Sequence, residues 1–327
     1  MKKRIYTLAI LLLGSSIAWA QGNISDVNSL GISNLATVKQ VGESHNSTIS
    51  QDGQMDLLGG VGNDAFVYQQ GSYSEAIVNQ QGNSNKSVAI LLGHHNYSNQ
   101  SQGVGWAENN FQLTFQNGDY NESYQLQRWD NNKGIVYQHG FSNYANQDQR
   151  TGENGAMGNY GFIFQDGQMN DAYQTQFGQR NQVYAFQYEY SNYAEQDQLG
   201  NDNMALVIQI GRHNDAQQIQ VGDENEAYEF QYGEYNTSLT NQDGFSNSSI
   251  TTQLGLNNNS TTYQIGEFNT SGTLQIGFDN IALTSQDGLS NLALTGQFGN
   301  SHNSIVSQVG NDNMSFVGQF GGNITSN

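Results

Sequence analysis

The feature that most constrains this chain is a repeat of fixed step. Gln-x-Gly-x-x-Asn recurs every eleven residues. An unbroken Gln column runs Gln198, Gln209, Gln220, Gln231, Gln242, Gln253, Gln264, Gln275, Gln286, Gln297, Gln308 and on to Gln319. An Asn column follows five residues behind: Asn203, Asn214, Asn225, Asn236, Asn247, Asn258, Asn269, Asn280, Asn291, then His302 and Asn313. Gly stands two residues after each Gln, at Gly200, Gly211, Gly222, Gly233, Gly244, Gly255, Gly266, Gly277 and Gly288. Towards the N-terminus the step returns, after three short insertions, as far back as Ser29. Of 26 such units, 24 carry the Gln and 22 the Gly. This regularity marks a stacked architecture in which each unit buries its inner face only against its neighbours.

Each unit reads as a strand and a turn. From the Asn, positions +2 and +4 are small or β-branched (Ala205 and Val207, Ser249 and Thr251, Ala293 and Thr295), and +6 is the next Gln. A period of two over seven residues is a strand. The Gly then supplies a turn with φ > 0, and Asn tolerates that conformation nearby. Eleven residues leave no room for a helical crossover. The expected fold is therefore all-β, a β-solenoid with two facing parallel sheets and two units to each 22-residue rung. Position +4 supports the doubled period, with Gln at Gln100, Gln125, Gln147, Gln174, Gln196 and Gln218 in alternate units only. Insertions near 57–63, 104–109 and 152–158 all fall in odd-numbered turns, hence on one edge. The count is about 13 rungs, roughly 60 Å at ~4.8 Å per rung.

Composition decides what can hold such rungs together. The chain has 42 Asn, 39 Gln, no Pro and no Cys, with 12% charged and 35% hydrophobic residues. An ordinary aliphatic core cannot be built from this, yet 18 Tyr and 15 Phe argue against long disorder. Identical amides stacked at strand spacing form hydrogen-bonded ladders, which would satisfy turn groups otherwise buried without partners. At the N-terminus, Met1-Lys2-Lys3-Arg4, the apolar Ile5 to Leu13 and Ala18-Trp19-Ala20 read as a secretory signal over 1–20. The apolar run is too short to span a bilayer. Residues 21–327 form one expected solenoid, more uniform and Ser/Thr/Gly-rich from about 233. Without the signal, 7 basic side chains face 29 acidic ones, a formal −22. That charge disfavours nucleic acid and anionic membrane as partners.

One set of outward positions is unusually apolar: Phe162 and Phe164, Tyr184 and Phe186, Leu206 and Ile208, Tyr228 and Phe230. With +2 and +4 inward, they form an aromatic stripe on one broad face, a candidate interaction surface that ends near Phe230. The alternative is that this sheet's inside and outside are exchanged. Beyond Phe230 a Thr column follows, at Thr240, Thr251, Thr262, Thr273, Thr284 and Thr295. Neither solenoid end carries a capping helix, a Pro or a charge cluster in the sequence, so a further copy can stack beside Ser315, Phe316 and Val317.

The repeat resembles that of the curlin family, the subunits of bacterial curli fibres. The family pattern is matched at Asn203, Gln209, Gly211, Asn214, Ala216 and Gln220, and again at Asn280, Gln286, Gly288, Asn291, Ala293 and Gln297. The resemblance extends over about residues 23–324. It implies an amyloid fibre subunit, secreted through an outer-membrane pore, started by a nucleator subunit, and polymerised with itself at the cell surface for adhesion and biofilm matrix. The chain departs from the family in having more rungs and only a short segment between Gln21 and the first strand. The lack of basic residues near the C-terminus matches the major subunit better than the nucleating one.

The remaining chemistry is sparse. His45, His94, His95, His139, His213 and His302 lie at or beside turns without a convergent triad, and His45 and His302 replace Asn in its column, so no metal site is expected. Gly59 to Val67 matches the Ca²⁺-binding nonapeptide once, where a β-roll needs tandem copies. Asp52, Asp166, Asp243 and Asp287 share a Gln-Asp-Gly turn and read as solubilising charge. No nucleophile, base and orienting group occur at a catalytic spacing, so neither an enzyme nor a cofactor is expected. The competing readings are a non-polymerising surface adhesin that docks through the aromatic stripe and an ice-binding solenoid using the Thr column.

Overall fold

The computed structural model describes residues 22–52, 62–103, 107–152, 156–322 and 325–326. Strands alternate along the chain between a 14-stranded and a 13-stranded sheet, all pairings parallel. The first sheet runs from Ile24–Leu30 to the two-residue Thr325–Ser326, the second from Leu35–Glu43 to Met314–Gly322. No helix occurs among the described residues. This is the expected β-solenoid. Its register is the sequence period itself, since Gln220 pairs with Gln242 and Gln209 with Gln231. Where insertions intervene, the columns still meet: Gln51 with Gln80, Gln102 with Gln127, Gln149 with Gln176. All three insertions leave the 14-stranded sheet and enter the other, which puts them on one edge. Residues 53–61, 104–106 and 153–155, including the first three residues of the Gly59–Val67 match, lie outside the described residues, as do residues 1–21.

Most turns use two left-handed residues. One is the column Gly: Gly244 has φ 134°, and a Cβ there would lie 1.9 Å from the Gly266 carbonyl oxygen one rung on. The other precedes the Asn, whatever its type: Ser246 at 51°, Asn257 at 56°, even Phe268 at 55°. Asn in its column avoids the conformation that the sequence suggested for its neighbourhood. Its backbone N–H must reach the Asn side chain of the rung before, so strain falls on the residue ahead of it.

Positions +2, +4 and +6 point inward. In the middle of the solenoid, Val136, Ala145, Ile163, Ala172, Ala185 and Ala194 pack as one dry cluster. From Ser238 onward the core positions are mostly Ser and Thr. The Thr column of Thr240 through Thr295 is buried, which removes the outward Thr row that an ice-binding surface needs. Phe162 and Phe164 lie outside while Ile163 is fully buried, so the exchanged arrangement of that sheet does not occur.

Candidate assembly surfaces

The buried amides form continuous ladders. Gln242 donates from Nε2 to Gln264 Oε1 of the next rung (2.8 Å) and to the Glu226 carbonyl of the facing sheet (2.9 Å). Gln264 passes the chain to Gln286 and Gln286 to Gln308. In the other sheet Gln209, Gln231, Gln253, Gln275 and Gln297 do the same, ending on Gln319. Each Gln therefore ties rung to rung and sheet to sheet. Asn225 Oδ1 accepts the Asn247 backbone N–H (3.1 Å), and Asn247 Nδ2 donates to that same oxygen (3.1 Å) and to the Gly266 carbonyl (2.9 Å). The turn carbonyl that Gly leaves open is thereby satisfied. A second buried ladder, Gln125 to Gln147 to Gln174 to Gln196 to Gln218, occupies +4 of the 14-stranded sheet. His45 and His302 hold Asn positions, each taking the preceding Asn oxygen through its backbone N–H.

One buried residue breaks the pattern and was not singled out in the sequence. Glu229 sits at +4 between Val207 and Thr251, where the Gln218 column gives way to Thr240 across the core. It is fully buried, and neither carboxyl oxygen meets hydrogen-bonding geometry with a partner among the described residues. Burial pushes its pKa from 4.5 to about 8; the Thr240 and Ser238 hydroxyls draw it partway back, and the Asp215 charge adds to the rise. A charge at a +4 core column was legible in the sequence as an anomaly.

The two outer faces differ in chemistry. On the 14-stranded sheet, outward positions ahead of the turn glycines carry eleven carboxylates and only Arg128 and Arg150 as cations, with Asp223 and Glu267 beyond them at strand ends. Burial raises the pKa of Asp171, Asp197 and Asp215 there. A tyrosine stack crosses this face, Tyr97–Tyr124–Tyr144–Tyr173–Tyr193, with centroids 5.3 to 5.6 Å apart. Burial and the Glu122 charge raise Tyr124 to about 12, and burial with Glu195 raises Tyr193 further. The sequence reading missed the stack because its rings alternate between +1 and +3. The 13-stranded sheet bears the aromatic stripe, with Phe162, Phe164 and Phe186 in ring contact and Phe186 beside Tyr184, Leu206 and Ile208 in register. Tyr228 and Phe230 continue it. The stripe does not stop there. Ile250, Leu274, Leu294 and Phe316 extend the apolar columns to the last strand, because the Thr that dominate this part of the sequence point inward.

At both ends the core columns open. Ala65, Val67 and Gln69 are fully buried, whereas their counterparts Ala36, Val38 and Gln40 one rung earlier are partly exposed. Ser315 and Val317 are likewise partly exposed in the outermost strand of the 13-stranded sheet. Among the described residues no three His, Asp or Glu gather as a metal site, and His95 instead stacks between Tyr73 and Tyr120 at an edge (5.0 and 4.7 Å).

No curated protein matches the chain. A family model, the curlin associated repeat, matches residues 288–321. That span holds one full 22-residue rung and part of the next, and includes Gly288, Asn291, Gln297, Gln308, Asn313 and Gln319. The same columns run in register through the rest of the solenoid. Residues 288–321 are thus similar to the curlin associated repeat, and the rest of the solenoid repeats their columns.

Proposed function

We propose that the chain is a secreted structural subunit that stacks end to end into extracellular, curli-like amyloid fibres serving adhesion and biofilm matrix. The observation that carries this reading is the pair of open ends. Among the described residues, each leaves a parallel strand edge and the cut face of the core uncovered, and edges left this way recruit further strands. The ladders also have a direction. Gln side chains donate toward the higher-numbered rung, and Asn oxygens accept from it, as at Gln242 and Asn225. Union of unlike ends preserves that direction. Such a heterologous contact without closure grows a filament. The fold and the repeat are those of a structural protein, and catalysis has no part in this reading. A nucleator subunit and an outer-membrane pore are the partners that the curlin resemblance implies.

The test is to dilute residues 21–327 from denaturant and follow thioflavin T, electron microscopy and fibre diffraction. Unbranched, seedable fibres with reflections near 4.7 and 10 Å are expected. A folded, unseedable monomer would overturn the reading. It would favour the second one, a non-polymerising adhesin, for which the apolar outer face of the 13-stranded sheet is the specific observation.

A further inference from the structure

We infer that the outer face of the 13-stranded sheet is the docking site for a second copy of this chain, so that solenoids pair laterally, face to face and antiparallel. This contact uses the side of the solenoid, not its ends, and does not depend on end-to-end growth.

Charge is the first argument. Ahead of the turn glycines, the outward positions of this sheet hold Lys39, Lys86 and Lys133 against Asp64, Asp166 and Glu226, with Glu43, Asp119, Arg212 and Glu234 beyond them at the strand ends. The former groups are engaged within the face. Lys86 pairs with Asp64 (3.8 Å), Lys39 lies over the Tyr68 ring (5.1 Å), and Lys133 lies between the rings of Phe111 and Tyr160 (5.8 and 5.3 Å). Asp166 meets His139 (2.7 Å), and Glu226 accepts the Tyr228 hydroxyl (3.4 Å). Ahead of its turn glycines, the opposite face opposes eleven carboxylates to two arginines. Two chains of strongly negative net charge repel unless they meet on a neutral surface, and this sheet supplies it. Within the overlap, Lys133, Asp166 and Glu226 each keep an aromatic or polar partner in the face, which lessens the usual penalty of burying charge.

Area and shape are the second argument. In the middle of the face, Phe162, Phe164, Tyr184 and Phe186 form a ridge of tilted rings. Nearer the C-terminal end, Gly272, Gly296 and Gly318 leave a trough walled by Ile250, Leu294 and Phe316. A two-fold axis in the contact plane, running along the Glu226–Glu234 strand, sets each copy's ridge into the other's trough, the self-complementary contact of an isologous dimer. It overlaps nine strands, Lys133–Phe141 through Met314–Gly322. At ~4.8 Å per strand and ~3.3 Å per residue that is on the order of 800 Å² per copy. Stable interfaces bury about this much on each partner.

The experiment is mass per unit length by scanning transmission electron microscopy. Wild-type fibres are expected to weigh twice what one chain per solenoid length requires. Phe186→Glu with Leu274→Glu should halve that value while the diffraction pattern persists. Leu239→Glu with Leu283→Glu, on the opposite face, should leave it doubled. A single-solenoid mass for the wild type, or a doubled mass for the first variant, would overturn the pairing. The chain has no native cysteine, so the untouched face can also be probed by mixing Phe186→Cys with Leu274→Cys chains. Disulfides between unlike chains are expected, and disulfides only between like chains would overturn the antiparallel arrangement. If no fibres form, the proposed function fails separately, and sedimentation of the folded chain decides the pairing: dimers support it and monomers overturn it.

Discussion

Glu229 makes stability depend on pH in a direction opposite to that of most carboxylates. In the folded chain its pKa is about 8, against 4.5 for a free glutamate, with burial the main cause. The folded state therefore holds a proton that the unfolded state has released, and stability falls as pH rises. Below about 4.5 both states are protonated and there is no penalty. Between there and about 8 the loss grows by up to ~1.4 kcal/mol per pH unit, and above 8 it levels off at roughly 5 kcal/mol. The facing groups do not relieve it, since Thr240 and Ser238 only moderate the shift and Asp215 enlarges it. The assay is guanidinium unfolding by circular dichroism from pH 5 to 9, on the wild type and Glu229→Gln. The two should be of similar stability at pH 5 and diverge as pH rises, with the variant the more stable by several kcal/mol at pH 9. Parallel pH profiles for the two chains would refute the reasoning.

Four further outcomes are expected. Asn247→Ala orphans the Asn269 N–H and the Gly266 carbonyl, now bonded at 3.1 and 2.9 Å, and should destabilise by about 3 kcal/mol in the same unfolding assay. Gly244→Ala places a Cβ against the Gly266 carbonyl and should cost more than an Ala substitution at an outward site such as Leu239, read as a lower unfolding midpoint. Glu189→Gly works the other way. Glu189 fills a Gly position at φ 78°, so relief of backbone strain should stabilise by about 1 kcal/mol. In a spectrophotometric titration of the folded chain, Tyr124 should ionise near 12 and Tyr144, Tyr173 and Tyr193 above the ordinary tyrosine value; Tyr124→Phe should remove part of that late-ionising absorbance.

The ladders could be read before any fold was known because stacking is translational. A residue meets its own equivalent one rung away, so Gln220 and Gln242, or Asn225 and Asn247, stand as a column in the sequence and in space alike. The same logic made the +4 Gln of alternate units announce two unlike sheets. Features that cross columns were hidden. The tyrosine stack joins Tyr97 at +1 to Tyr124 at +3, and only the lateral spacing within a sheet shows that such rings touch. The left-handed residue before most column Asn follows from how the turn delivers the Asn N–H to its acceptor, and its type varies too widely, from Ser246 to Phe268, to stand out as a column in the sequence.

The sequence by itself determined the rung length, the parallel in-register pairing and the edge that bears the insertions, because each follows from a period. Only the tertiary structure decided how far the apolar face extends and what surrounds Glu229. Both depend on which side of a strand faces the opposite sheet, and, for Glu229, on neighbours across the core such as Ser238, Thr240 and Asp215 that lie outside its own column.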